Sequence, residues 1–179
     1  MFKRCVVTLR AKGGNAAHGK PGAAGRLLLP PVASRADVDL ATLEGALLLR
    51  HRLEESGIRI YEGPTSEARK SIFSAHAAVG IQDAQDVQRF GEYVRKAIDH
   101  GATHPFMHAY SIPASGESGG DCDGETGASS RIAQVINDRW RGREDGICVA
   151  VSRWYGGVQL GGKRFAMIAG AANQVIDGI

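Results

Sequence analysis

Long hydrophobic runs are missing from this sequence. Clusters such as Leu27 to Leu29 fall far short of the roughly 18–20 consecutive apolar residues that carry a helix across a bilayer, so a membrane-spanning chain is excluded and a soluble one is expected. Cysteine is scarce and unpatterned. Cys5, Cys122 and Cys148 are odd in number and far apart, without CxxC spacing, which removes a disulfide scaffold and points to a reducing compartment with Cys148 as a small apolar core residue. No GxGxxG follows a first strand, which removes a dinucleotide-binding Rossmann domain. No serine or cysteine is expected to stand in a nucleophile elbow.

Acidic residues are absent from residues 1–36, which hold seven basic ones: Lys3, Arg4, Arg10, Lys12, Lys20, Arg26 and Arg35. The remaining 15 Lys and Arg face all 19 Asp and Glu, so the net charge of +3 conceals a basic start on an acidic body. Two readings fit. One is a mitochondrial targeting segment, which places the protein in the matrix; the other is a basic tail or nucleic-acid-binding arm on a cytoplasmic protein.

What is present is enough for one sizeable core, since 43% of the 179 residues are hydrophobic. Residues 1–35 read as a basic, irregular Gly/Ala/Pro-rich extension. Residues 36–66 read as a helix over Ala36–Glu55, with Leu40, Leu43, Leu47 and Leu53 recurring on it and Asp39 as N-cap, followed by a short strand over Ile58–Tyr61. Residues 67–179 then alternate strands and helices. Ser71–Val79 suits a strand; Asp83 opens a helix with Val87, Phe90, Val94 and Ile98 on one face; Phe106–Ile112 is a strand; Pro113–Gly120 is a loop. A helix begins near Thr126 to Ser130, burying Ile132, Val135, Ile136 and Trp140. Ile147–Tyr155 alternates with period two, and Lys163–Ile176 closes the chain as a helix. The class is α+β, as a two-layer sandwich.

Three groups of residues stand out. The first is Arg69-Lys-Ser-Ile-Phe-Ser-Ala-His76. The second is Ala102-Thr-His104 with His108-Ala-Tyr110. The third pairs Asp121-Cys-Asp-Gly-Glu-Thr-Gly127 with Val151-Ser-Arg-Trp-Tyr-Gly-Gly157, Leu160-Gly161 and Arg164-Phe165. In order and spacing these resemble the IMPACT/YigZ family, over residues 67 to 178, with Trp154 and the Arg164-Phe165 pair closer to the eukaryotic, IMPACT-like branch. Pro105 stands where the family usually has Asn, and Cys122 where an acid is common. The resemblance implies a fold like domain two of ribosomal protein S-five, a sheet with helices on one face. It also implies a translation-associated binding protein, whose relatives restrain the starvation-responsive kinase of translation initiation factor two by competing for its activator on ribosomes. No RWD domain of the eukaryotic relatives is evident.

Several residue patterns invite chemistry. Gly157-Val-Gln-Leu-Gly-Gly162-Lys163 matches the Walker A spacing, but Arg164 replaces the hydroxyl that would hold magnesium, so nucleotide hydrolysis is not expected. A phosphate or small anion bound at the Gly156 to Arg164 turn, and a turn whose glycines merely permit tight packing, both fit. Asp123 and Glu125 are expected to cap the following helix rather than bind calcium, because the spacing is wrong for an EF-hand. His100, His104 and His108 recur every four residues, but Gly101 and Pro105 break any helix between them, so neither metal nor other cofactor is expected. The binding residues are Asp121, Arg153, Trp154, Tyr155, Gly156, Gly157, Lys163 and Arg164, facing a protein, ribosome or RNA partner. Alternatives are a small hydrolase using His104 with Asp123 or Glu125, and an organellar ribosome or assembly protein. Arg153, aligned with Val149 and Val151, is satisfied either by a carboxylate from Asp121, Asp123 or Glu125, which is the expectation, or by a strand end that has left the core and exposes it.

Overall fold

The computed structural model describes residues 40–97 and 101–179. The readings made on residues 1–39, on Ile98 and on His100 lie outside the described residues. The elements run α1 (Leu40–Glu55), β1 (Arg59–Glu62), β2 (Ser66–Ala68), β3 (Ser71–Val79), α2 (Ala84–Ala97), β4 (His104–Ile112), β5 (Glu117–Asp121), α3 (Ala128–Arg139), β6 (Ile147–Trp154) and α4 (Lys163–Asp177). The strands form one antiparallel sheet in the order β1-β3-β6-β4-β5, with β2 also paired to β3. The class is therefore α+β, as the alternation of patterns implied.

Period-two alternation distributes the side chains of the two central strands. Phe73, Ala75, Ala77 and Val79 of β3 join Ile147, Val149 and Val151 of β6 on one face, against Ile132, Val135 and Ile136 of α3 and Ile168, Ala172 and Val175 of α4. Ala78, Cys148 and Ala150 point the other way, into a second cluster with Leu53 of α1 and Val87, Phe90 and Val94 of α2. The sheet with α3 and α4 makes the expected two layers. The expectation of helices on one face only is corrected: α1 and α2 add a layer on the other, because the alanines of β3 and β6 leave an apolar surface there too. Each large apolar side chain buried this way contributes about 1.5–3 kcal/mol. Asp83 opens α2 as its spacing suggested, its Oδ1 accepting the Asp86 amide at 2.9 Å.

Two further expectations are corrected, and one strand was not anticipated. Pro113–Gly120 is not all loop, since β5 pairs with β4 from Ile112↔Glu117 to His108↔Asp121. Its residues are exposed and its Ser-Gly-Gly centre carries no alternation, so the ladder alone makes the strand. Glycine is needed there: a Cβ on Gly120 would lie 2.3 Å from the His108 carbonyl oxygen. In α1 Ala46 and Leu53 are buried while Leu47, expected on the same stripe, is 59% exposed; the side chains of Leu40 and Leu43 lie outside those described. The short strand β2 was hidden by a sequence, Ser-Glu-Ala, with no strand signal.

On the α1/α2 face of β3, His76 is buried and its Nδ1 has no hydrogen-bond partner. Burial lowers its pKa to about 4, so the folded chain holds the imidazole neutral. A depressed folded pKa means that the unfolded state takes up the proton first as pH falls. Stability is thus fully present above about pH 6.5 and is lost on acidification toward the folded value, by on the order of 3 kcal/mol at pH 4. Urea denaturation of wild type and His76→Leu between pH 7 and 4 checks this: the difference between the two curves should track that loss, and parallel curves would reject it.

Candidate functional site

Strand alternation carries Arg153 onto the α3/α4 face at the very end of β6, in register with Phe73 on one side and His104 on the other. There it is only 5% exposed. A guanidinium so placed needs an anion, and it finds one: Nη1 donates to Glu125 Oε2. The second oxygen of the same carboxylate accepts the Nε–H of Arg164 at 2.7 Å. His104 completes the group, with Nε2 3.7 Å from Glu125 Oε2 and Nδ1–H donating to the Asp123 carbonyl at 2.8 Å. One buried carboxylate thus ties together β4, the loop before α3, β6 and α4.

The loop that delivers Glu125 is shaped by backbone conformation. Asp123 (φ 48), Gly124 (φ 85) and Gly127 (φ 88) are all left-handed. The expectation that Asp123 and Glu125 cap α3 is corrected, since the N-cap is Gly127, without a side-chain bond. Guanidinium partners hold Glu125 more strongly than an orphan amide would. Asp123 Oδ2 instead accepts the Phe106 amide at 2.7 Å, and its Oδ1 lies 3.8 Å from Arg95, which the sequence did not single out. Asp121 is exposed and accepts the Asp123 amide at 2.6 Å. Cys122 lies 3.1 Å from the Ser129 hydroxyl; that hydrogen bond and the amides at the start of α3 hold its thiol below the ordinary value.

An exposed aromatic and basic surface centred on Arg153 and Trp154 does not form. Both are buried, Trp154 on the face opposite Arg153, and the exposed aromatic is Tyr155 at 44%. The Arg153 guanidinium lies 5.4 Å from the Tyr155 ring centroid and 5.5 Å from that of Phe73. Gly156 sits hard against the β2–β3 hairpin, where a Cβ would come within 2.1 Å of the Lys70 carbonyl. Its amide donates to Ser71 Oγ at 3.2 Å, a contact that no sequence spacing announces. Gly157 (φ 80) turns the chain toward α4. In the Walker-like stretch the amides of Lys163, Arg164 and Phe165 donate to the carbonyls of Leu160, Gly161 and Gly162, which turns them into their own loop.

For acid/base chemistry the arrangement is poorly disposed, because both oxygens of Glu125 already accept from arginines. Ser118 lies in a Gly116–Gly120 stretch that spells G-x-S-x-G, yet it stands in an edge strand opposite Ser111 rather than at a strand-to-helix elbow. Among the described residues no group of three or more His, Cys, Asp or Glu is placed to hold a metal. No helix among them is long and apolar enough to cross a membrane.

The clasp makes a direct prediction. Arg153→Ala strands the Glu125 carboxylate in a buried setting and should destabilise by about 3–5 kcal/mol, whereas the double change Arg153→Met with Glu125→Leu should recover part of that loss. Chemical denaturation of the set checks it; a loss under about 1 kcal/mol for Arg153→Ala would mean a solvent-screened pair.

The residues of this clasp lie within the span matched by the model of the Impact N-terminal domain, residues 69–176, more than half of the chain. A worm (Caenorhabditis elegans) protein named Protein IMPACT homolog is 33% identical over 130 residues, covering 69% of this chain and 49% of that protein. The fission yeast (Schizosaccharomyces pombe) Protein IMPACT homolog is 31% identical over 112 residues, covering 60% and 38%. A solved structure titled as a crystal structure of a hypothetical protein superposes with a TM-score of 0.54 at 27% identity, over 66% of this chain and 57% of that one. The chain spans about half or less of the length of these curated relatives. With the glycine turn, the acidic loop and strands β3 to β6 all falling inside the matched span, this chain belongs to the Impact N-terminal domain family.

Proposed function

We propose that this protein is a translation-associated binding protein that engages a ribosome-bound or translational-control partner through the turn running from Tyr155 to Lys163. One observation carries this reading. Glu125, Arg153 and Arg164 of the family's two motifs are engaged with one another, while two apolar side chains of the turn, Tyr155 at 44% and Val158 at 39%, stand in solvent and Leu160 is buried. A site built for turnover would direct its polar groups into a cleft; here they brace the turn that carries Tyr155 and Val158. Family membership supports the same direction, since the curated relatives carry the IMPACT name.

Co-sedimentation with ribosomes from translating extract tests the proposal. The wild-type chain should pellet with ribosomes, and Tyr155→Ala combined with Val158→Ser should weaken this by about tenfold, the scale of one interface anchor, with melting unchanged. A chain that never pellets, or a double variant that pellets like wild type, would reject it.

The acid-free residues 1–36 support a further proposal on location, delivery to the mitochondrial matrix. A fusion of those residues to a fluorescent reporter should enter mitochondria and lose that address when Arg4, Arg10 and Lys12 become Glu. A wild-type fusion that stays in the cytosol would overturn this.

A further inference from the structure

The link between β2 and β3 is two residues long, Arg69 and Lys70, and both have positive φ, 45° and 66°. This primed hairpin geometry is ordinarily left to Asn and Gly, and side chains with a Cβ adopt it at a cost. Here both positions are basic and exposed. The Gly156 contact on the Lys70 carbonyl then presses this hairpin against the Tyr155 turn, so two segments far apart in sequence form one corner.

The corner is positive at its base as well as at its rim. Arg153 and Arg164 share the single carboxylate of Glu125, which leaves a surplus positive charge beneath Tyr155. Asp123 is engaged with the Phe106 amide and Arg95. Glu67, the acid nearest in sequence to the hairpin, lies on the other face of β2 from Ser66. Lys163 is exposed at the start of α4. Over this base the Tyr155 ring is fixed from one side by the Arg153 guanidinium, and its amide donates to Thr103 Oγ1 at 3.1 Å.

We infer that this corner binds single-stranded RNA, with one base stacked on Tyr155 and the adjoining phosphates held by Arg69, Lys70 and Lys163. A pre-fixed aromatic ring rimmed by cations from several segments is the arrangement that unpaired nucleotides select, because every base offers a π-face and every linkage a negative charge. A protein partner would be expected to meet a larger apolar patch, whereas beside Tyr155 the turn offers only Val158 as an exposed large hydrophobic. This inference deepens the proposed translational association by naming the chemistry of the partner.

Fluorescence anisotropy with a labelled twelve-residue oligouridine, titrated with the full chain at several salt concentrations, tests it. The basic residues 1–36 can attract RNA unaided, so the readout is the dependence on this corner. Tyr155→Ala should weaken binding by roughly 5- to 100-fold, while Tyr155→Phe, which keeps the ring, should hold wild-type affinity. Lys70→Glu and Lys163→Glu should weaken binding and flatten its salt dependence, by about one phosphate contact each, and Arg141→Glu at the opposite end of the sheet should do neither. A Tyr155→Ala protein that melts like wild type and binds oligouridine equally well overturns the inference. No oligouridine binding, with ribosome co-sedimentation still sensitive to Tyr155, overturns it in favour of a protein partner and leaves the translational reading standing; loss of both sinks the two together.

Discussion

A single carboxylate shared by two guanidiniums is the constraint on which this structure turns. Glu125 receives Arg153 from the end of β6 and Arg164 from the first turn of α4, and His104 approaches it from β4. Replace it with an apolar side chain and two buried or half-buried cations lose their anion at once, a loss that burial makes far more expensive than it would be in water. The geometry of the turn follows from this arrangement. Gly156 and Gly157 leave the strand just after a residue that cannot move, so the position of Tyr155 is inherited from the buried pair beneath it.

The small residues of the sheet play the complementary part. Alanines at 75, 77, 78 and 150 leave the central strands low on both faces, which lets α3 and α4 close on one side and α1 and α2 on the other. Dispersion and water exclusion then act on both faces, and the sheet becomes the rigid middle layer. Rigidity matters at its end, where the ion cluster sits, because side chains there keep their separations only if the strands carrying them do.

Periodicity in the sequence located most elements, since Ile147, Val149 and Val151 declare a strand and Val87, Phe90 and Val94 a helix whatever the rest of the fold does. It could not find β5, whose residues are exposed and held only by their ladder, nor β2, which is three residues of no particular pattern. That Arg153 needs either a carboxylate or an exit from the core was legible from charge and alternation alone. Which acid answers it was not: Asp123 and Glu125 are two residues apart, and the choice rests on the left-handed backbone at Asp123 and Gly124 that swings one inward and the other toward β4. The contact of Gly156 with Lys70 was equally out of reach, being a meeting of backbones 86 positions apart for which side-chain chemistry gives no sign.

One edge of β3 is divided between two short partners, β1 over its last four residues and β2 over its first three, with the Gly63 amide bonded to the Ala75 carbonyl between them. The rim that a stray chain would meet on that side is therefore broken into lengths of four and three residues, and Pro64 at the break lacks an amide to offer. The opposite rim is β5, five residues long, bearing acids at both ends and two glycines within. Strand-by-strand polymerisation needs a long, even template, and neither border of this sheet supplies one, so the fold is guarded against fibril seeding by the raggedness of its own margins.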